Sequence, residues 1–319
     1  MSDVPRIPDD IEITVIGGGG HVGLPLALVF ASEGFKTLIY DINQETLDII
    51  ATGKMPHLEA DGEPLLKSAL QSGNLYMSSQ SADLPNTGVV IITIGTPVDE
   101  FHNPIHKAIK ECADELLPHL GDDQLIILRS TVYPGTTDWL ARYFKSKNKA
   151  TKIAFCPERV VQGHAVRELR EIPQIISGTT PEAAELAEAL FSKISQNIVR
   201  MEPMEAEFAK LFCNAVRYIQ FAATNEFYMI ADAAGLDYNR IYEGMTRGYP
   251  RAQQHASAGF AAGPCLFKDT AQLAAFAKNN FSLGNAAILV NEGLVLHVIE
   301  KMQREYDLNN STVGLLGMA

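Results

Sequence analysis

The sequence predicts an α/β protein in which a Rossmann-like, doubly wound parallel sheet is followed by an all-helical central domain with one long helix. A β-branched strand near the N-terminus runs directly into a glycine-rich turn, and short apolar runs typical of strands recur as far as residue 199. From Met204 onwards the patterns are helical. We therefore expect a sheet domain over residues 1–203, a helical domain over residues 204–311 and the first strand of a third domain over residues 312–319.

The glycine-rich turn has the pattern Gly18-x-Gly20-x-x-Gly23 and opens a helix. Gly18 permits the tight turn, Gly20 lets the backbone approach a pyrophosphate, and Gly23 allows the helix to pack closely on the strand. Backbone N–H groups at the start of the helix, at His21 and Val22, are then available to phosphate oxygens. The turn therefore predicts a dinucleotide site.

Asp41 ends the next apolar strand, at the distance from the last glycine that the dinucleotide fingerprint requires, about 20 residues. A carboxylate at this place accepts hydrogen bonds from the adenosine ribose and repels an added 2′-phosphate. The sequence therefore predicts NAD rather than NADP. A glycine-rich turn of some other α/β protein, with Asp41 as a helix cap, is the alternative.

The composition limits the partners. The chain has 319 residues, of which 46% are hydrophobic, so it can bury the cores of about two domains. Its net charge of −12 argues against a surface that binds nucleic acid or anionic membranes, because both require clustered lysine and arginine. No apolar run is long enough to span a membrane, and residues 1–10 lack the apolar segment of a signal peptide.

The four cysteines and eight histidines are scattered along the chain. No two cysteines have the spacing of a zinc site or of a disulfide framework, and no two histidines have a metal-ligand spacing. We therefore predict no metal site and a reducing, cytoplasmic location.

Three later apolar runs of the predicted sheet each end in polar or glycine-containing sequence. The residues at these ends are Gly95 and Thr96 after the first run, Ser130 and Thr131 after the second, and Glu158 after the third. Because open α/β sheets bind ligands at the carboxyl ends of their strands, we expect these residues to line one crevice. Taken singly, each is explained equally well as a polar loop residue.

One unusually long helix is predicted from Met204 to Ala234, because this stretch contains neither glycine nor proline and is followed by Gly235. Its length exceeds what one small domain needs and predicts a spine shared between two subunits. Lys210 and Asn214 are four residues apart and share a face of this helix. A lysine whose ammonium merely extends to solvent is the alternative for Lys210.

Cys265 is the cysteine whose surroundings favour reactivity. It lies at the end of a loop rich in glycine and alanine, beside Lys268 and before a predicted helix from Asp269 to Lys278. A helix N-terminus and a nearby ammonium both stabilise a thiolate. A buried structural thiol is the alternative for Cys265, whereas Cys213, on the long helix, is expected to point inward.

In this order, these motifs resemble the UDP-glucose/GDP-mannose dehydrogenase family over essentially the whole chain. The segments that carry the resemblance are the glycine-rich turn with Asp41, Gly95-Thr96-Pro97, Ser130-Thr131-Val132, Pro134-Gly135-Thr136, Pro157-Glu158, Lys210 with Asn214, Asn225-Glu226, and Gly263-Pro264-Cys265-Leu266-Phe267-Lys268-Asp269. The resemblance implies that the C6 alcohol of a UDP-hexose or UDP-N-acetylhexosamine is oxidised to a carboxylate in two steps. Each step would pass a hydride to NAD.

The resemblance also implies which residues carry the chemistry. Cys265 would attack the intermediate aldehyde, and the resulting thiohemiacetal would lose a second hydride to become a thioester. Lys210 and Asn214 would stabilise the developing oxyanion and contact the substrate.

Further residues are matched around the later steps of this reaction. Glu158, which would also contact the substrate, would act as general base toward a water held by Thr131 and Asp269. Lys268 would lie near the cofactor, and Arg251 would hold the phosphates of the substrate. The family also implies a homodimer formed through the long helix.

The substrate and two other functions stay open at this point. The sequence that follows Pro157-Glu158 and the sequence Tyr249-Pro250-Arg251 favour the branch that oxidises N-acetylated hexosamines, whereas Cys265–Asp269 favours the glucose branch. A β-hydroxyacid dehydrogenase of the 6-phosphogluconate type would share the layout without needing a nucleophilic cysteine. An inactive NAD-binding fragment, without a third domain that helps to bind the nucleotide, is the other alternative.

Overall fold

The chain folds into two compact units. The computed structural model describes residues 7–99, 105, 107–252, 255–261 and 264–315. The first unit contains the chain up to Lys210, apart from a short segment after Pro97, and the second runs from Leu211 onwards. Part of the segment predicted to lack a signal peptide, residues 1–6, lies outside the described residues, as do Gly263 and residues 316–319.

An eight-stranded sheet forms the centre of the first unit. The strands are β1 (Ile13–Ile16), β2 (Thr37–Tyr40), β3 (Leu75–Ser78), β4 (Val89–Ile92), β5 (Leu125–Leu128), β6 (Lys152–Phe155), β7 (Gln174–Gly178) and β8 (Ile198–Arg200). Their spatial order is β3-β2-β1-β4-β5-β6-β7-β8. The order reverses between β1 and β4, so the carboxyl ends of these two strands form the switch point where such sheets bind ligands.

The strand directions confirm the predicted Rossmann-like fold and add one antiparallel pair. Neighbouring strands are parallel except for β6 and β7, which are antiparallel. The chain that leaves β6 returns into the sheet from the edge at which β6 ends, so β7 must run in the opposite direction. The predicted parallel sheet is thus confirmed as mostly parallel, and the antiparallel pair is a detail that sequence periodicity, which reports burial and not direction, does not reveal.

Helices cover both faces of the sheet. They are α1 (Gly23–Ser32), α2 (Gln44–Ala51), α3 (Gly62–Ser72), α4 (Lys107–Leu116), α5 (Thr136–Ser146), α6 (Ala165–Glu171) and α7 (Pro181–Phe191). Alternate residues of β1 face different cores: Val15 packs in the core that includes α1, α3, α6 and α7, and Ile16 in the core that includes α4 and α5. Burial on both sides explains why the strands read as continuous apolar runs.

Two elements of the first unit have no clear signal in the sequence. The region with Gly53, Pro56, Gly62 and Pro64 reads as a loop, yet α3 begins at Gly62. Pro64 is tolerated there because the first turn of a helix needs no backbone N–H donor from it. The edge strand β3 follows; its two end residues are buried and its two central residues are half-buried, so its four residues show no alternation that could be recognised.

The second unit is helical. Its helices are the main part of α8 (Pro203–Ala233), α9 (Tyr238–Thr246), α10 (Pro264–Phe276) and α11 (Ser282–Glu305). The bounds of α8 match the predicted long helix, and Gly235 follows it with a φ of +71°, which a glycine adopts without strain. Residues 312–315, where a strand was expected, have no regular secondary structure.

A buried amide network ties the helices of the second unit together. Asn225 of α8 donates from Nδ2 to Asn291 Oδ1 of α11 over 2.9 Å, and its Oδ1 accepts from the Gly259 N–H over 2.8 Å. Asn291 Nδ2 in turn donates to the Tyr218 carbonyl over 3.0 Å. Asn225, which the family motif includes, therefore holds the loop before α10 in place.

The helix α11 is more apolar than the sequence analysis predicted. Within the described residues this 24-residue helix is long and apolar enough to cross a membrane by length and composition, with a mean hydropathy of 1.4 in its most apolar window. The prediction that no apolar run is long enough to span a membrane was therefore wrong. Polar residues such as Asn291 and Glu292 interrupt the apolar run, but the mean hydropathy of the helix stays high. A single helix of this kind is weak evidence for a membrane span, since helices of soluble proteins have similar compositions.

Candidate active site

The glycine-rich turn between β1 and α1 has the geometry of a dinucleotide site. A Cβ added at Gly18 would lie 2.7 Å from Ile39 Cγ2, and one at Gly23 would lie 2.5 Å from the Gly17 carbonyl oxygen. At Gly20 the nearest atom would be the Gly17 oxygen at 3.4 Å. Gly18 and Gly23 are thus required by internal packing, whereas Gly20 leaves the outer surface of the turn open to a ligand.

Asp41 lies beside this turn, as the sequence predicted. Its Oδ2 accepts a hydrogen bond from the Gly19 N–H over 2.9 Å, and its Oδ1 accepts from the Asn43 N–H over 3.0 Å. The cap of α2 is Asn43, whose side chain accepts from the Thr46 N–H. Asp41 is therefore not the cap of that helix, and its carboxylate is placed where the fold presents an acid to the adenosine ribose.

The carboxyl ends of β4 and β5 are joined to each other. Thr96 Oγ1 donates to the Thr131 carbonyl, and Ser130 Oγ donates to the Ile94 carbonyl over 2.6 Å. A Cβ at Gly95 would meet no atom within 4 Å, so the backbone there is open on one side. These two strand ends therefore lie together at one edge of the sheet, and the expectation that they line one crevice with Glu158 stays a prediction.

Glu158, at the end of β6, is held by a fully buried arginine that the sequence motifs do not mark as functional. Arg129 Nη2 lies 2.7 Å and Nε 3.1 Å from Glu158 Oε2, and Arg129 has no exposed surface. The guanidinium also donates to the Cys156 carbonyl and to Gln174 Oε1, and it lies 4.8 Å from the centre of the Phe191 ring.

The second carboxylate oxygen of Glu158 is also occupied. Its Oε1 accepts hydrogen bonds from the N–H groups of Arg159 and Val160, over 2.7 and 3.0 Å. Glu158 therefore fixes the loop after β6 to the middle of the sheet, and a water can use it as a proton acceptor only by replacing one of these donors.

Glu207 is another buried carboxylate and, unlike Glu158, it belongs to none of the sequence motifs. From the first turns of α8 it accepts from the N–H groups of Gly135 and Thr137 and from Thr137 Oγ1, so it caps the start of α5. Burial raises the pKa of Glu207, and these hydrogen bonds oppose the shift. Glu207 lies 70 residues from Thr137, so only the folded chain reveals the pairing.

The second unit places four of the predicted residues around the start of α10. The helix α10 begins at Pro264 and not at Asp269 as predicted, so Cys265 lies in its first turn. The Cys265 side chain is exposed. Proline suits the first helical position, which explains the earlier start. Asn214 Nδ2 donates to the buried Asp269 Oδ2 over 2.5 Å, and Lys268 Nζ lies 2.9 Å from Asp269 Oδ1.

The other cysteines have different environments. Cys112 and Cys156 are buried, and burial raises the pKa of each thiol to about 12, so neither supplies a thiolate at neutral pH. Cys213 is exposed, contrary to the expectation that it points inward, because it lies on a face of α8 that the described residues leave uncovered. Cys213 and Cys265 are therefore the two accessible thiols.

The remaining predicted residues, Arg251 and Lys210, are exposed and half-buried, respectively. Arg251 is exposed, and its guanidinium is stacked 5.1 Å from the centre of the Tyr249 ring. Lys210 is half-buried on α8, four residues before Asn214. No three His, Cys, Asp or Glu side chains in the part of the chain that the structure describes are arranged to hold a metal.

Known proteins share this architecture. A UDP-N-acetyl-D-mannosamine dehydrogenase from Pyrococcus horikoshii is 31% identical over 325 residues, which cover 97% of this chain and 76% of the relative. An NDP-N-acetyl-D-galactosaminuronic acid dehydrogenase from Ralstonia nicotianae is 29% identical and covers 92% of this chain and 72% of its own length. The solved structure of a UDP-D-ManNAc dehydrogenase from Pyrococcus horikoshii gives a TM-score of 0.85 at 30% identity, over 92% of this chain and 72% of that one.

The switch point, the glycine-rich turn and Asp41 together define an NAD-dependent oxidoreductase. The profile of the UDP-glucose/GDP-mannose dehydrogenase family, NAD binding domain, matches residues 11–195, and the profile of the central domain of the same family matches residues 204–293. The chain belongs to the UDP-glucose/GDP-mannose dehydrogenase family.

Two glycine variants separate folding from NAD binding at the turn. Gly23→Ala is expected to lower the free energy of unfolding by about 1–3 kcal/mol, because its methyl group would overlap the backbone of the turn. Gly20→Ala is expected to change stability by less than about 0.5 kcal/mol, yet to weaken NAD binding, because its methyl group faces the ligand. Urea unfolding and calorimetric titration with NAD measure the two effects, and wild-type affinity in Gly20→Ala would contradict the placement of the pyrophosphate.

Proposed function

We propose that the chain is a UDP-N-acetylhexosamine 6-dehydrogenase, which oxidises the C6 alcohol of its substrate to a carboxylate, a uronic acid, and passes one hydride to NAD in each of two steps. The observation that carries the proposal is the exposed Cys265 thiol in the first turn of α10, beside the Lys268–Asp269 pair. A dehydrogenase that stops at an aldehyde or ketone has no use for a nucleophile. Oxidation of an aldehyde to an acid needs a nucleophile that first converts the aldehyde into a hydride donor, and a thiol can supply it.

The reaction balances with one thiol and one water. The alcohol first loses a proton and a hydride and becomes an aldehyde. Cys265 sulfur then forms a bond to the aldehyde carbon, and the carbonyl oxygen takes up a proton to give a thiohemiacetal. Loss of that proton and of a second hydride gives a thioester, and water releases the carboxylate as the sulfur leaves as thiolate. NAD, when bound, supplies the hydride acceptor for both oxidations.

The chain's own residues are assigned to charge stabilisation and proton transfer. The ammonium of Lys210 and the amide of Asn214 stabilise negative charge on oxygen. Asp269 orients Asn214 through their hydrogen bond, which leaves the second amide hydrogen of Asn214 available to an oxyanion.

Further roles are assigned near the cofactor and the substrate phosphates. Glu158 is assigned as the general base toward water, and Thr131 and Asp269 are assigned to hold this water. Lys268 is assigned to the cofactor and Arg251 to the phosphates of the substrate.

The sugar class is proposed from two sources. Relatives at 31% and 29% identity bear names of dehydrogenases of N-acetylated sugars. In this chain the sequence after Pro157-Glu158, which is Arg159-Val160-Val161-Gln162, and the sequence Tyr249-Pro250-Arg251 favour the same branch. An N-acetylmannosamine, N-acetylglucosamine or N-acetylgalactosamine group on UDP is therefore the expected substrate class.

Counting NADH per sugar tests the proposal. NAD is supplied with UDP-N-acetylhexosamines, UDP-glucose and 6-phosphogluconate, and NADH and acid are quantified at completion. Two NADH for each UDP-N-acetylhexosamine consumed are expected. One NADH from 6-phosphogluconate alone would instead identify a β-hydroxyacid dehydrogenase, and NAD binding with no turnover of any sugar would identify a non-catalytic NAD-binding protein.

We also propose that the chain works as a cytoplasmic homodimer that pairs through the second unit. Exposed apolar side chains occur at helical spacing on α8, namely Phe212, Val216, Phe227 and Ile230, and on α11, among them Leu289 and Leu296. Large apolar patches on soluble proteins mark interaction surfaces. Sedimentation equilibrium is expected to give twice the chain mass for the wild type and one chain mass for Ile230→Asp; a monomeric wild type at micromolar concentration would contradict the pairing.

A further inference from the structure

Two histidine rings lie against each other beside the dinucleotide turn. His21 belongs to the turn itself, between Gly20 and Gly23, and His57 lies in the loop between α2 and α3. The ring centres are 4.0 Å apart with an angle of 46° between the planes. Nε2 of His57 is buried and makes no hydrogen bond to any described residue. An imidazole nitrogen without a partner thus lies next to the loop that receives the pyrophosphate.

The surroundings of both rings favour the neutral imidazole before a ligand binds. Burial, together with a smaller contribution from the neighbouring His21, lowers the pKa of His57 to about 4. Burial also lowers the pKa of His21, and the carboxylate of Glu59 opposes that shift. Glu59 is the acid whose charge acts on His21, and its Oε1 accepts a hydrogen bond from the Val166 N–H over 3.0 Å. Two protonated rings with centres 4.0 Å apart would repel each other, and the charge of one carboxylate does not offset that repulsion.

We propose that His57 is a further dinucleotide-binding residue, which acts with His21 on the pyrophosphate, and that the pair takes up a proton when NAD binds. The turn directs backbone N–H groups at the pyrophosphate, and His21 is part of that turn. A pyrophosphate brings two negative charges to the rings, and nearby negative charge favours the protonated imidazole. Once a ring is protonated, both of its nitrogens are donors. Nε2 of His57 can then donate a hydrogen bond to a pyrophosphate oxygen.

The linkage has a definite sign. Because the ligand raises the pKa of the pair, the complex holds more protons than the free protein, and NAD must bind more tightly as the pH falls. Each unit by which a pKa rises strengthens binding up to about tenfold at a pH below both values. A rise of the His57 pKa from about 4 in the free protein to the ordinary histidine value of about 6.5 is expected to make NAD bind about tenfold more tightly near pH 5.5 than near pH 8.

Calorimetric titration of the full chain with NAD tests the proposal without turnover, so its outcome is separate from that of the proposed dehydrogenase activity. Titration near pH 6 in two phosphate-free buffers of different ionisation enthalpy gives the number of protons taken up. The wild type is expected to show uptake. His57→Gln, which keeps a hydrogen-bond donor but does not titrate, is expected to lose most of the uptake and of the pH dependence.

Two further variants complete the design. His21→Gln, at an exposed position, is expected to reduce the uptake as well and serves if His57→Gln folds poorly. His119→Gln, in the 3-10 turn after α4, is the matched control and is expected to behave as wild type. Absence of proton uptake in the wild type, or uptake that persists in both His57→Gln and His21→Gln, would overturn the proposal.

Discussion

Replacing Arg129 with methionine is expected to lower the free energy of unfolding of the first unit by about 3–5 kcal/mol. The guanidinium is fully buried and donates to Glu158, to the Cys156 carbonyl and to Gln174. Methionine would fill part of the volume but leave the Glu158 carboxylate buried without its counter-ion. A charge left in a low-dielectric interior is costly because neither water nor a partner stabilises it.

Urea unfolding followed by tryptophan fluorescence measures this loss, since the one tryptophan of the chain, Trp139, lies on α5 in the first unit. Arg170→Met is the matched control: Arg170 pairs with Glu33 over 2.6 Å at a more exposed place, and its loss is expected to cost less than about 1 kcal/mol. Adding Glu158→Gln to Arg129→Met is expected to recover part of the stability by removing the orphaned charge. Equal losses for the Arg129 and Arg170 variants would show that the buried pair is not a major contributor.

Replacing Cys265 with alanine is expected to abolish acid formation while leaving NAD binding unchanged. Under the proposed mechanism the second oxidation proceeds through a bond between the sulfur and the substrate carbon, and alanine cannot form it. Loss of a catalytic nucleophile lowers turnover on the order of 10⁴- to 10⁶-fold in well-studied hydrolases, and a comparable loss is expected here. The glycine-rich turn and Asp41 belong to the first unit and do not depend on this side chain.

The measurement combines acid quantification, a calorimetric NAD titration and mass spectrometry of the quenched wild-type enzyme, in which the sugar adduct should map to the peptide that contains Cys265. Cys213→Ala is the matched control, because Cys213 is the other exposed thiol of the second unit, and it is expected to keep full activity. Acid formation at the wild-type rate by Cys265→Ala would exclude the covalent route.

Much of the first unit follows from local sequence. A turn of the form Gly18-x-Gly20-x-x-Gly23 after a β-branched run permits few backbone paths, and the structure confirms both the turn and the placement of Asp41 next to it. The long helix α8 was equally predictable, since its stretch contains no residue that stops a helix before Gly235. The turn and the helix depend on contacts between residues close in the chain, whereas the place of Asp41, 22 residues from Gly19, follows from the spacing of the dinucleotide fingerprint.

The partners of the functional side chains could not be predicted in the same way. Glu158 has the family motif around it, but nothing near it in sequence points to Arg129, 29 residues earlier. Asn214 was expected to serve an oxyanion, and the structure gives it Asp269, 55 residues away, as a hydrogen-bond partner. His57 carries no motif at all and is recognised only through its contact with His21.

The sequence by itself determined the class of fold, the dinucleotide turn with its preference for NAD, the long helix and the cysteine at which the chemistry is proposed. The tertiary structure alone decided the direction of β7, the burial of Arg129 against Glu158, the cap that Glu207 provides to α5 and the pairing of the two histidines. The physical reason is that backbone conformation responds to neighbours within a few residues. Burial and charge pairing depend instead on the spatial order of the strands and on how the helices pack on the sheet, which bring together residues that are distant in the chain.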